Sequence, residues 1–526
     1  MTLATVSPAE VRFAWISRTE VALVDLREEA PFAKAHPLFA TCIPLSRLEL
    51  EVLDAIPRCD TPIVLYDDGE GLVETAALRL ATLGYSNVKA LEGGLQGWRD
   101  AGLELFRDVN SASKAFGELV EHRRHTPFIT PETLQTQLER SADLVVLDAR
   151  RYDEFNTMSI PTGVSTPGAE LVLRAKALAP DPHTTIVVNC AGRTRSIIGA
   201  QSLINAGVKN PVRALRNGAI GWTLAGQALE HGQTRRAPDV AAEEAAAALE
   251  AAAQVSYRAG VRRLDSAGLA RLEADAGRTL YRFDVRLPEA YAAGHIPGFR
   301  NAQGGQLVQE TDMFAAVRGA RIVLADDIGV RAHMSASWLA QMGWEVYVLE
   351  GGFEGELESG PWSPARPALP AAPSLSPAAL ADLIAKGSAL VIDVGPSKAY
   401  RQAHIPGAQF AIRAQLPRLL SELEGEGRRL VITSPDGALA RLAAHDLRGP
   451  IGRTPEVLDG GTAAWRAEGF ALEAGFDRAL SPADDIYRRP YEGSDHPVEA
   501  MQAYLDWEFG LVDQLARDAS HGFYVI

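Results

Sequence analysis

Apolar and polar residues follow one pattern along this chain, and the pattern is written four times. Each copy opens with a helix-start signal: Ser7-Pro8, Thr130-Pro131, Asp265-Ser266 and Ser376-Pro377. A hydroxyl N-cap followed by proline at the first helical position accounts for three of them; Asp265 or Ser266 would cap the remaining one. An apolar run ending in aspartate comes next, closing at Asp25, Asp148, Asp284 and Asp393. A second apolar run leads to Asp67, Cys190, Asp326 and Ser434, which follow those aspartates by 42 residues in three copies and 41 in the fourth. A third run ends in a turn at 92–94, 216–218, 350–352 and 459–461, with Trp98, Trp222 and Trp465 soon after in three copies. Gly or Asn in these turns supplies positive φ.

Short apolar runs that alternate with helical stretches such as 75–83 predict parallel strands covered by helices on both faces. Gly84, Gly207 and Gly343 then end the corresponding helices. The fold class expected is α/β: four tandem units over 1–107, 125–231, 261–360 and 374–475, followed by a tail over 476–526. An Ala/Glu-rich stretch from Ala237-Pro238-Asp239 through Ala253 predicts a linker helix. The prolines from Pro361 to Pro370 predict a stiff, extended connection. Tyr487, Tyr491, Tyr504, Trp507, Phe509 and Phe523 give the tail an aromatic content that should pack onto a unit.

Composition narrows the function classes. A chain of 526 residues exceeds one hydrophobic core. Its net charge of −15 argues against nucleic acid or an anionic membrane as partner. Any anionic substrate must therefore meet a local positive site. No apolar stretch approaches bilayer length, and the first residues lack the basic-then-apolar order of a secretory signal. Three cysteines, Cys42, Cys59 and Cys190, suit a reducing cytosol, so a cytoplasmic location is expected.

Cys190 carries the candidate chemistry. An apolar β-branched run, Ile186-Val187-Val188, ends at Asn189-Cys190, and Ala191-Gly192-Arg193-Thr194-Arg195-Ser196 then opens a helical stretch. The pattern predicts a strand–loop–helix turn with a thiol at its lip. Ligands in such folds bind at the carboxyl ends of strands. N–H groups at a helix start favour an anion, and with two arginines nearby they should favour thiolate over thiol. Asp67 and Asp326 stand at the corresponding positions of the first and third copies, each followed by another carboxylate, Asp68 and Asp327. Such a mouth repels anions. A magnesium site at these pairs would need further ligands; a decayed site on a retained scaffold fits better. Ser434 lacks a nearby base, and Leu439 stands where the second copy has Arg195. Three of the copies are thus expected to be inactive. No metal and no cofactor is called for.

The repeated pattern resembles the rhodanese family of sulfurtransferases. The resemblance rests on Asp148 with Arg150, the loop from Cys190 to Arg195, Asn217-Gly218 with Trp222, Asp284-Val285-Arg286 with Gly294-His295-Ile296-Pro297-Gly298, and His404-Ile405-Pro406-Gly407. It covers nearly the whole chain apart from linkers and tail. It implies that Cys190 attacks the outer sulfur of thiosulfate or a related donor, carries it as a persulfide, and passes it to a thiophilic acceptor, small molecule or protein. Backbone N–H groups of Ala191, Gly192, Arg193, Thr194, Arg195 and Ser196 would cradle the sulfur. Arg195 would steady the loop, and Arg193 would meet an anionic donor. Asp148 and Arg150 would support the site structurally. The second copy has Ser159 where the third and fourth have His295 and His404, so those histidines are assigned to the turn and not to chemistry. The loop places glycine one position earlier than the commonest pattern of the family. Two alternatives remain at this point. One is a persulfide carrier or scaffold without small-molecule turnover. The other is a phosphatase or arsenate reductase on the same scaffold, although four residues between Cys190 and Arg195, against five in the related phosphatases, favour a sulfur-sized guest.

Overall fold

The computed structural model describes residues 3–423, 428–450, 452, 454–490, 492 and 497–526. Tyr491, one of the tail aromatics, lies outside them. The chain forms four five-stranded sheets with the same strand order, and every pair of named strands is parallel. In the second sheet the order across is Phe128–Ile129, Val212–Leu215, Thr185–Asn189, Leu144–Asp148 and Val164–Ser165. Asp148 stands opposite Asn189, and Val188 opposite Ala214. The strand before Cys190 is therefore the central one. Its middle residues, Ile186, Val187 and Val188, are apolar and fully buried because helices cover both of its faces.

The expected start signals act as N-caps. Ser7, Thr130 and Ser376 each accept a hydrogen bond from the backbone three residues on, with proline following, and Asp265 caps the third unit. Trp98, Trp222 and Trp465 are buried, and each indole N–H donates to the carbonyl six residues later, at 3.0, 2.8 and 2.9 Å. The third unit has Phe353 in a short 3₁₀ turn, Gly352–Glu354, at that place. The linker helix runs Ala242–Arg258, later at both ends than its composition suggests. Residues 361–373 form neither helix nor strand.

A helix between the first two units, Ser111–Arg124, is not part of the repeated pattern. Ala112, Ala115, Phe116, Leu119 and Val120 recur at the helical period and could have revealed it. Its first ten residues are all buried, Lys114 and Glu118 included. It packs against the helix Thr194–Asn205, which follows the Cys190 loop. A Cβ on Gly117 would stand 2.8 Å from Thr194 Cγ2, so only glycine permits this approach.

The units are joined by more than linkers. Cores of the first and third merge into one apolar cluster with this helix and Phe523. Arg413 of the fourth unit forks onto Glu49 of the first at 2.7 and 2.8 Å. Arg331 of the third pairs with Glu170 of the second at 2.5 Å. The tail forms two helices, Val498–Phe509 and Leu511–Asp518, and its last residues reach the third unit, where Tyr524 N–H donates to Gln341 O at 3.0 Å.

Candidate active site

Cys190 leaves the central strand at its carboxyl end, and the helix Thr194–Asn205 begins four residues later. The loop between is bent back by the glycine turn of the next crossover. Ala219 and Ile220 N–H groups donate to the carbonyls of Cys190 and Ala191 at 2.9 and 3.0 Å. Gly218 has φ +54°, and a Cβ there would stand 2.4 Å from the Cys190 carbonyl. At the helix start, where N–H groups lack intrahelical partners, Ser196 N–H is directed to the Cys190 sulfur. The Cys190 thiol lies 3.5 Å from Ser196 Oγ, which itself donates to Arg193 O at 2.7 Å.

Asp148 and Arg150 hold the strand ends. Arg150 Nε and Nη2 donate to the two Asp148 oxygens at 2.9 and 2.7 Å, and Asn189 Nδ2 donates to Oδ2 at 2.9 Å. This fixes the residue immediately before Cys190. The same Asp–Arg fork recurs as Asp25–Arg27 and Asp284–Arg286.

The two loop arginines are both spoken for. Arg195 meets Glu154 through two hydrogen bonds, 2.8 and 2.9 Å. Burial would push the Glu154 carboxyl up, but the charges of Arg195, Arg150 and Arg151 outweigh it and hold the group at about 2. Arg193 does not point to open solvent for a donor. It is buried, forked onto Glu118 at 2.7 and 2.8 Å, bonded to Glu121 and Asn217, and stacked 4.2 Å from the Phe509 ring. The long-range partners Glu118 and Glu121 come from the unanticipated helix, which is why local sequence could not reveal them.

The loop is covered. Cys190 is only 2% exposed. A Cβ on Gly192 would stand 3.3 Å from the Tyr504 ring and 3.4 Å from Glu508 Oε2, both on the first tail helix. Burial therefore pushes the Cys190 thiol up, against the pull of Arg195 and of the Ser196 hydroxyl and N–H, and Glu508 adds to the rise. The depressed thiol anticipated from the loop is not found, because a helix start favours thiolate only where the sulfur is not also desolvated.

In the other units the corresponding cradle is filled by its own side chain. Asp67 accepts from Gly69 and Leu72 N–H at 3.1 and 2.6 Å. Asp326 accepts from Arg331 N–H at 2.7 Å and from the Arg331 guanidinium at 2.6 Å. Asp68 and Asp327 are paired with Arg99 and Arg331. Ser434 Oγ accepts from Ala440 N–H at 3.2 Å. His295 and His404 stack on Tyr291 and Tyr400 at 3.8 and 3.9 Å and mark the turn where Ser159 stands in the second unit. Cys42, half-buried, ends the edge strand Ala40–Cys42, and Cys59 is exposed; neither follows the central strand of its sheet.

Comparison with known proteins gives the same repeat. The rhodanese-like domain model matches residues 12–101, 130–225, 267–357 and 376–468. The crystal structure of a thiosulfate sulfurtransferase from Pseudomonas aeruginosa is 57% identical and superposes with a TM-score of 0.97, each chain covered in full. An uncharacterised protein of Synechocystis is 35% identical over 91 residues; the match spans 17% of this chain and half of that protein's length. A rhodanese-like domain from Anabaena is 24% identical over 22% of this chain and 90% of its own, with a TM-score of 0.19.

Proposed function

The chain belongs to the rhodanese-like domain family, and from that premise we propose that it is a thiosulfate sulfurtransferase-type enzyme working through Cys190. The likeness to a thiosulfate sulfurtransferase at 57% identity over the full chain supports the reaction class. One observation carries the assignment to Cys190. Of the four strand-end cradles, those of the first and third units are occupied by their own carboxylates, and the fourth by a serine hydroxyl. The second alone offers a sulfur.

In the first half-reaction Cys190, as thiolate, attacks the outer sulfur of the donor. A new S–S bond forms on Cys190 and the donor's S–S bond breaks. With thiosulfate, sulfite leaves with the bonding pair. In the second, a thiophilic acceptor attacks the outer persulfide sulfur, and Cys190 departs as thiolate. N–H groups of 191–196 hold the outer sulfur's negative charge, as an oxyanion hole holds oxygen. Asp148, Arg150 and the Arg195–Glu154 pair keep the loop in shape. A sulfur donor and a sulfur acceptor are the partners. Three free cysteines fit a reducing cytosol. No helix among the described residues is long and apolar enough to cross a membrane.

Treatment with thiosulfate should add one sulfur, about 32 Da, to the peptide carrying Cys190. Cys190→Ser should abolish transfer to cyanide, whereas Cys42→Ser and Cys59→Ser should leave it intact. Near-wild-type transfer by Cys190→Ser would overturn the assignment.

A further inference from the structure

The first tail helix brings one carboxyl to the Cys190 loop. Glu508 is 1% exposed. Its Oε1 accepts a hydrogen bond from the Tyr504 hydroxyl at 2.9 Å. Its Oε2, the oxygen nearer Gly192, is buried with no hydrogen-bond partner among the described residues. A buried polar atom left unpaired is costly, and such atoms in native structures call for an explanation. Because Oε1 serves as acceptor, a neutral Glu508 carries its proton on Oε2. The result is a buried O–H donor beside the sulfur cradle, with no acceptor among the described residues.

We propose that Glu508 is a donor-binding residue. Its neutral carboxyl donates a hydrogen bond from Oε2 to an anionic sulfur donor seated over Cys190, and its ionised form excludes that donor. The proposal rests on the reading of Cys190 as the sulfur-carrying residue. It answers a question the loop arginines leave open. Arg193 and Arg195 are both neutralised by glutamates, so neither is free to receive the anion. A neutral acid can serve where a cation is absent, because a hydrogen bond to a charged acceptor is stronger than one between neutral groups. The tail thus completes the site instead of merely covering it.

The surroundings favour the neutral form of Glu508. Burial, then the charge of Glu118 on the helix Ser111–Arg124, push it up to about 8, against Lys114, the Tyr504 hydroxyl and Arg193. Lys114 is drawn off by Asp108 at 2.6 Å and sits over the Tyr504 and Trp507 rings. Arg193 is held by Glu118 and Glu121. Cys190 completes the ring of titratable groups facing the carboxyl.

The test is the pH dependence of kcat and KM for thiosulfate in the full chain, with cyanide as acceptor. In the wild type, KM should rise above pH about 8 as Glu508 ionises, separately from the climb of kcat as Cys190 loses its proton. Glu508→Gln keeps a donor at the same place without titrating. Its KM at pH 7 should stay within about threefold of wild type, and the alkaline rise should vanish. Glu508→Ala removes the donor and should raise KM at pH 7 about tenfold. An uncharged organic trisulfide should show no alkaline rise with any of the three. Thermal unfolding of each variant confirms that it is folded. An alkaline rise that persists in Glu508→Gln, or an unchanged KM in Glu508→Ala, overturns the proposal while leaving Cys190 as the sulfur carrier. Transfer by Cys190→Ser would instead bring down the reading on which it rests.

Discussion

Gly218 is the tightest point of the sulfur cradle. Its φ of +54° is in the left-handed region, and a side chain would press into the carbonyls of Cys190 and Gly192, at 2.4 and 2.6 Å. Gly218→Ala should therefore cost about 1–2 kcal/mol in backbone conformation. Its larger effect falls on activity, because a shift near 1 Å at reacting atoms costs about a hundredfold. The expected outcome is a loss of kcat/KM for thiosulfate of that order, with a thermal midpoint lowered by only a few degrees. Residue identity at this scale was plain in the sequence: Asn217-Gly218, Cys190 and the Asp148–Arg150 pair all stand where their types suggested. The protonation of Cys190 was not, since it depends on what covers the sulfur.

The first tail helix is the element that decides that cover. Met501, Tyr504 and Leu505 pack with Ile220 of the helix after the glycine turn, and Leu505 is 1% exposed. Leu505→Ala should weaken this docking by about 2–5 kcal/mol, the range for emptying a buried leucine site. In the wild type, alkylation of Cys190 should be slow, with a pH midpoint above the free-thiol value of about 8.5, since burial raises the group. In Leu505→Ala alkylation should quicken and its midpoint move down, as water returns to the sulfur. Mass mapping of iodoacetamide adducts over a pH series measures both. Strand ends, N-caps and turns were legible because they repeat with the same local chemistry. The helix Ser111–Arg124 is hard to read from the sequence because it lies outside the repeat, and its buried Lys114 and Glu118 mask an amphipathic face.

Across the whole molecule, buried ion pairs tie units that the linkers alone would leave apart. Arg413, 1% exposed at its side chain, joins Glu49 of the first unit and Asp446 of its own at 2.7 and 2.8 Å. Arg413→Ala leaves Glu49 and Asp446 with Arg79 as their shared cation and should cost up to about 3–5 kcal/mol, measured as a lowered denaturant midpoint. Burial would raise Glu49, but Arg413 and Arg79 outweigh it and hold the carboxyl below its usual range. A depressed carboxylate contributes stability that is complete above its unfolded value, about 4.3, and lost as pH falls through the folded value. The wild-type midpoint should thus decline on acidification below about pH 4.3, and Arg413→Ala should show less of that decline. By itself the sequence determined the four α/β units, their order of elements, the family and the candidate sulfur atom. All of these rest on local periodicity and on spacings that each copy restates. Tertiary structure alone decided where Arg193 goes, what lies over Cys190, which carboxyl faces it and how the units dock. Glu508 is 318 residues from Cys190 and Glu118 is 75 from Arg193; contacts at such separations leave no periodic trace, because they are fixed by how packed elements meet.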